Sequence, residues 1–154
     1  MELMTLNTQP GLNLQPETAA KKILIVDNER PIRILLSQAL DKLKKLGVEI
    51  FLAENGVEAL KLIDVQKPDL IFLDLMMPGL HGFDVARLIK SHPDTAQSYI
   101  IILTARNQSV DKQMGRISGA DEYMVKPFDP ISLADKAAGI LGILKPNTEG
   151  DKLL

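Results

Sequence analysis

Four short apolar runs in this chain each end on a polar residue, where a charge is costly to bury unless something pairs with it. Asp27 and Asn28 follow "KILIV", Asp74 follows "LIFL", Thr104 follows "YIIIL" and Lys126 follows "EYMV". Glu29 comes directly after the first pair. Acidic oxygens crowded together either share a proton or hold a hard cation such as Mg2+. A carboxylate can also attack phosphorus and form an aspartyl phosphate. That reaction asks a protein mainly for positioning and charge neutralisation, which a metal, an ammonium and a hydroxyl supply. Asp74 is the best nucleophile candidate because it follows the central run. Each residue alone has an ordinary reading: strand-end acids cap helices, threonines sit in turns and lysines face water. Convergence of all of them is what points to a site.

The elements that must position them alternate along the chain. Residues 22–26, 70–73 and 99–103 are continuous apolar runs, as expected of strands buried on both faces, and 48–53 and 122–125 are weaker strand candidates. Stretches of helical period lie at 31–46, 57–66, 84–91, 109–118 and 130–144. Strand and helix thus alternate five times, which argues for one α/β domain with a parallel sheet and helices on both faces. In such a sheet, ligands bind outside the carboxyl ends of the strands, where the acids, the hydroxyl and the ammonium all fall. Residues 1–20 read as an extension, 21–145 as the domain and 146–154 as a tail.

The 154 residues suffice for one sizeable core, and their 45% apolar and 25% charged content is ordinary for a globular protein. The net charge of −2 is well mixed, and no basic block suggests direct nucleic-acid binding. With no cysteine, disulfides, thiolate metal sites and cysteine nucleophiles are excluded. No signal peptide or membrane-spanning run is evident, so a cytoplasmic location without membrane contact is expected.

The segments "KILIVDNERPIR", "LAENGVEALKLI", "PDLIFLDLMMPGLHGFDV", "IIILTAR" and "GADEYMVKPF" occur in order. Together they resemble the receiver domain of two-component response regulators, over about residues 22–144. The resemblance implies a flavodoxin-like fold with strand order 2-1-3-4-5. It also implies that Asp74 accepts a phosphoryl group from a histidine kinase or a histidine phosphotransfer protein. Asp27, Asn28, Asp74 and the backbone carbonyl of Met76 would hold Mg2+. Lys126 would contact the phosphoryl group, Thr104 would move toward it, and Tyr123 would be the switch aromatic. The Lys126–Pro127 bond would be cis. Beyond modification of Asp74 itself, no enzymatic activity is implied.

The match has departures. Asn28 stands where the family usually has a second acid, so weaker metal binding is expected, with Glu29 a candidate for compensation. His81 occupies a position where Asp or Asn is common and reads as a surface loop residue. In the last helix Leu133, Ala137, Ile140, Leu141, Ile143 and Leu144 spread around more than one face. Residues 109–144 are therefore expected to dock a downstream protein or a second copy of the chain. Ten residues follow Leu144, too few for a further module, so a single-domain switch acting through protein contacts is the leading reading. A degenerate receiver that binds without phosphorylation is the alternative. A phosphohydrolase of the haloacid dehalogenase type is remote, because it would carry an acid where Met76 stands.

Overall fold

The computed structural model describes residues 19–105 and 111–143. The proposed tail, Leu144 and all but the last two residues of the extension lie outside them, as do residues 109 and 110 of one expected helix. Five strands form one sheet: β1 (Lys22–Val26), β2 (Glu49–Ala53), β3 (Leu70–Asp74), β4 (Tyr99–Ala105) and β5 (Glu122–Lys126). They run parallel in the order β2-β1-β3-β4-β5.

Alternate residues along the inner strands serve two separate cores, as the period-two pleat requires. Leu24, Val26, Ile71, Leu73, Ile100 and Ile102 face one way. They pack beneath α3 (Gly56–Gln66) and α4 (Gly82–Ser91). Ile23, Ile25, Leu70, Phe72, Ile101 and Leu103 face the other way. They meet α1 (Arg30–Ala39), α2 (Asp41–Lys45) and α6 (Pro130–Leu141). Helix α5 (Lys112–Ser118) lies beside α4. Burial of a side chain such as Phe72, which is fully enclosed, is worth roughly 2–3 kcal/mol, so these central runs dominate the stability.

Two expectations change. The helical run 31–46 is two helices, not one. Leu40 leaves helical geometry (ψ 9°), its N–H is shared between the carbonyls of Leu36 and Ser37, and its side chain is fully buried. The last helix is also less open than its pattern suggests. Leu133, Ala137, Ala138 and Leu141 are buried, and Ile140 and Ile143 pack against the same core, with Gly142 (φ 72°) ending the helix. The apolar residue that α6 exposes is Ile131.

Candidate functional site

The carboxyl ends of β1, β3 and β5 bring three charged side chains together. Asp74 is the last residue of β3, and the Leu75 N–H continues the ladder to the Leu103 carbonyl. Asp27 follows β1, its backbone N–H still bonded to Ala53. Lys126 ends β5, and its Nζ lies 3.3 Å from Asp27 Oδ2 and 3.4 Å from Asp74 Oδ1. Lys126 therefore reaches from the edge strand past β4 and β3 to β1. Asp27 is wholly enclosed, and only 5% of Asp74 is exposed.

One ammonium does not neutralise two buried carboxylates. Burial pushes the Asp74 carboxyl up to about 6, and the charge of Asp27 adds to the rise. Lys126 and the Met76 backbone N–H, which bonds to the carboxylate, oppose it without winning. Burial alone would lower the Lys126 ammonium, but the charges of Asp74 and Asp27 outweigh that and hold it above its ordinary range. The site is thus short of positive charge, and its donors are hard oxygens, the setting a divalent cation such as Mg2+ fits. Among the described residues no three His, Cys, Asp or Glu side chains cluster as a metal site. Neutral oxygens would have to complete the shell, and Asn28, exposed beside Asp27, carries one.

The other expected residues lie nearby in two layers. Thr104 is buried on β4, opposite Val125, and Tyr123 pairs with Ile102. The register and the burial of Ile102 put Thr104, Tyr123 and Val125 on the α3–α4 face of the sheet, while Leu103 and Met124 face the opposite core. Thr104 and Tyr123 are consequently diagonal neighbours across adjacent strands. Partial burial raises the Tyr123 phenol above its ordinary range, and its ring meets Phe83 edge-on, with centroids 6.2 Å apart. Met76 is exposed in the loop after β3. The Lys126–Pro127 peptide is cis.

Several contributors act in ways that residue type alone does not reveal. Arg33 Nη1 donates to the Asp27 carbonyl at 2.7 Å, and the Glu29 N–H donates to Asp27 Oδ1 at 2.8 Å. Glu29 thus acts through its backbone, at the N-cap of α1, without capping by its side chain. His81 is half-buried: it is the N-cap of α4, and its Nδ1 accepts from the Phe83 N–H. Gly82 follows, where an added Cβ would lie 2.5 Å from the Asp74 carbonyl oxygen and 2.8 Å from Leu75 Cα. The "PGLHGF" segment held that signal in its glycines.

Residues 23–138 match the model of the family described as the response regulator receiver domain. The chain belongs to that family. It is 42% identical over 121 residues to the phosphate regulon transcriptional regulatory protein PhoB of Pseudomonas aeruginosa, covering 79% of this chain and 52% of the relative. It is 40% identical over 121 residues to the alkaline phosphatase synthesis transcriptional regulatory protein PhoP of Bacillus subtilis, covering 79% of this chain and 48% of the relative. The chain spans about half the length of these curated relatives. The chemotaxis response regulator CheY4 of Vibrio cholerae superposes with a TM-score of 0.69 at 30% identity, over 79% of this receiver and 99% of that chain. A response regulator from Chloroflexus aurantiacus J-10-fl gives 0.70 at 31%, over 80% and 99%. Receiver domains are the signalling switches of two-component systems, and this receiver shares their fold and strand order. No helix among its described residues is long and apolar enough to cross a membrane.

Proposed function

We propose that this receiver is a phosphorylation-controlled switch in which Asp74 takes a phosphoryl group from the phosphohistidine of a histidine kinase or histidine phosphotransfer protein. The observation that carries the reading is the Asp27–Lys126–Asp74 grouping at the carboxyl edge of the sheet. With its carboxyl near 6, Asp74 is largely ionised at neutral pH and able to attack. An Asp74 oxygen bonds to phosphorus as the phosphorus–nitrogen bond breaks, and the departing imidazole takes up a proton. Lys126, already within ion-pair reach of Asp74, is placed to hold a phosphoryl oxygen. Asp27, Asn28, Asp74 and the Met76 carbonyl would hold Mg2+, which supplies the positive charge the transferring group needs.

The new group adds about −1.5 to −2 charge and three acceptor oxygens. Thr104, one position beyond the residue paired with Asp74, is the hydroxyl that answers it, and Tyr123 on the same face relays the change. The output is protein contact. Met114 and Ile117 on α5, Tyr123 and Val125 on β5 and Ile131 on α6 leave large apolar side chains exposed on consecutive elements. A downstream protein or a second copy of the chain would cover them, and the mixed charge of −2 suits a protein rather than a nucleic acid. The cytoplasm is where such a kinase-fed switch works. Residues 21–145 would form the switch, with 1–20 as an extension and 146–154 as a tail.

Incubation with Mg2+ and acetyl phosphate, followed by intact mass measurement, tests the reading. Wild type should gain one phosphoryl group and Asp74→Ala none; no gain in wild type would overturn it. One observation favours a second reading, a receiver that binds partners without phosphorylation: Asn28 leaves the site one carboxylate short. Asn28→Asp should tighten Mg2+ binding about tenfold or more. An Mg2+ titration unmoved by that change would show that Asn28 costs the site nothing.

A further inference from the structure

Gly115 sits mid-way along α5 at an ordinary helical position, where glycine costs stability relative to alanine. The volume its side chain would need is already taken. A Cβ built there would lie 2.0 Å from the Tyr123 hydroxyl oxygen, 3.2 Å from the ring carbon that bears it, and 3.6 Å from Phe83 Cζ. Carbons do not approach an oxygen at 2.0 Å, so even the smallest side chain is excluded while Tyr123 stays where it is. The ring also meets Phe83, in the first turn of α4, at an interplanar angle of 76°. Phe83 is itself buried, whereas Tyr123 is 40% exposed, so the tyrosine is the ring with room to move.

We propose that Gly115 is a positioning residue of the switch, its bare backbone forming the seat on which the Tyr123 phenol rests between α5 and α4. The inference rests on the reading of Tyr123 as the switch aromatic. It adds a second body to that switch. A tyrosine on this seat makes β5 and α5 one unit, and a tyrosine leaving it vacates the space beside Gly115. Movement of the ring and the resting place of α5 are then a single event, which carries a change from the sheet edge to the helix bearing Met114 and Ile117. The raised phenol of Tyr123 agrees with a hydroxyl drawn in against the helix.

The collision is with the hydroxyl, so its removal should largely restore tolerance of alanine. A double-mutant cycle reads this directly. Gly115→Ala should raise the melting temperature when Tyr123→Phe is present, as helix propensity alone would dictate, and lower it or leave it unchanged when tyrosine remains. An equal shift in both backgrounds would overturn the seat. The chain has two tyrosines and no tryptophan, so a Tyr99→Phe background lets near-ultraviolet circular dichroism and phenol titration follow Tyr123 alone. There Gly115→Ala should cut the dichroism several-fold and return the phenol to its ordinary range; unchanged signals would also overturn the proposal. With Mg2+ and acetyl phosphate, Gly115→Ala should still take up the phosphoryl group but lose the change in tyrosine dichroism that accompanies it. If the parent protein takes up no phosphoryl group, the switch reading fails while a non-additive cycle still establishes the seat. If it does and the cycle is additive, the seat alone fails.

Discussion

At the scale of single residues, the governing fact is that Asp74 is harder to ionise in the folded chain than in the unfolded one. Its carboxyl titrates at about 6 when folded, against 3.8 ordinarily. Between those values the folded state binds more protons than the unfolded state, so stability rises as the pH falls through about 6, and the full cost is present above it. The shift, with the attraction of Lys126 already included, corresponds to about 3 kcal/mol, which screening by solvent reduces to roughly 1–2 kcal/mol. In metal-free buffer Asp74→Asn should therefore gain about 1–2 kcal/mol in urea denaturation near pH 8 and little near pH 4. A gain that does not vary with pH would contradict this account. Asp27, Asp74 and Lys126 were legible in the sequence because each directly follows an apolar run, where a charge needs a reason. Arg33 was not, since an arginine beside a helical stripe looks solvated, and its bond to a backbone carbonyl leaves no trace in residue type. His81 looked like a loop residue because histidine is a weak sign of a helix cap.

At the scale of elements, the loop that carries Met76 and the start of α4 is fixed by close approach to β3. An added Cβ at Gly82 would meet main-chain atoms of Asp74 and Leu75, which cannot turn aside as a side chain could. Gly82→Ala should cost about 1–3 kcal/mol despite the better helix propensity of alanine. It should also slow phosphoryl uptake from acetyl phosphate, because the end of α4 must back away from Asp74. A stabilised variant with unchanged uptake would show that the contact yields freely. The strands were readable because burial on both faces leaves continuous apolar runs. Helix boundaries were less so: Leu40 belongs to the apolar stripe whether or not the helix pauses there. Ile140 and Ile143 suggested a second open face, yet both lean onto the core that holds Leu133 and Leu141. Periodicity gives direction around a helix, not how far the neighbouring elements wrap it.

At the scale of the molecule, five large exposed apolar side chains, Met114, Ile117, Tyr123, Val125 and Ile131, lie on the consecutive elements α5, β5 and α6, while others such as Val57, Val65 and Met76 lie elsewhere on the described surface. A second copy of the chain is an occupant that can be tested without knowledge of the target. In sedimentation velocity with Mg2+ and acetyl phosphate, wild type should shift toward dimer, and Ile117→Asp should not. Ile117 is 53% exposed, so the change should leave stability within about 1 kcal/mol. Monomers in both would assign this face to a different protein.

The ammonium that spans the sheet has a further consequence, in the order of assembly. Lys126 reaches Asp74 across 52 residues of chain and Asp27 across 99, so its contacts are among the least local in the fold. Non-local pairings close late, after the loops between them have given up their entropy. During synthesis the two acids, Thr104 and four of the five strands emerge before the lysine does. On the proposed reading, a half-made chain would hold the acceptor Asp74 without the cation that answers it, and a histidine kinase meeting such a chain would find no finished site. Competence to receive the signal would then arrive with the last strand, which would make phosphoryl uptake a test of complete folding as well as of chemistry.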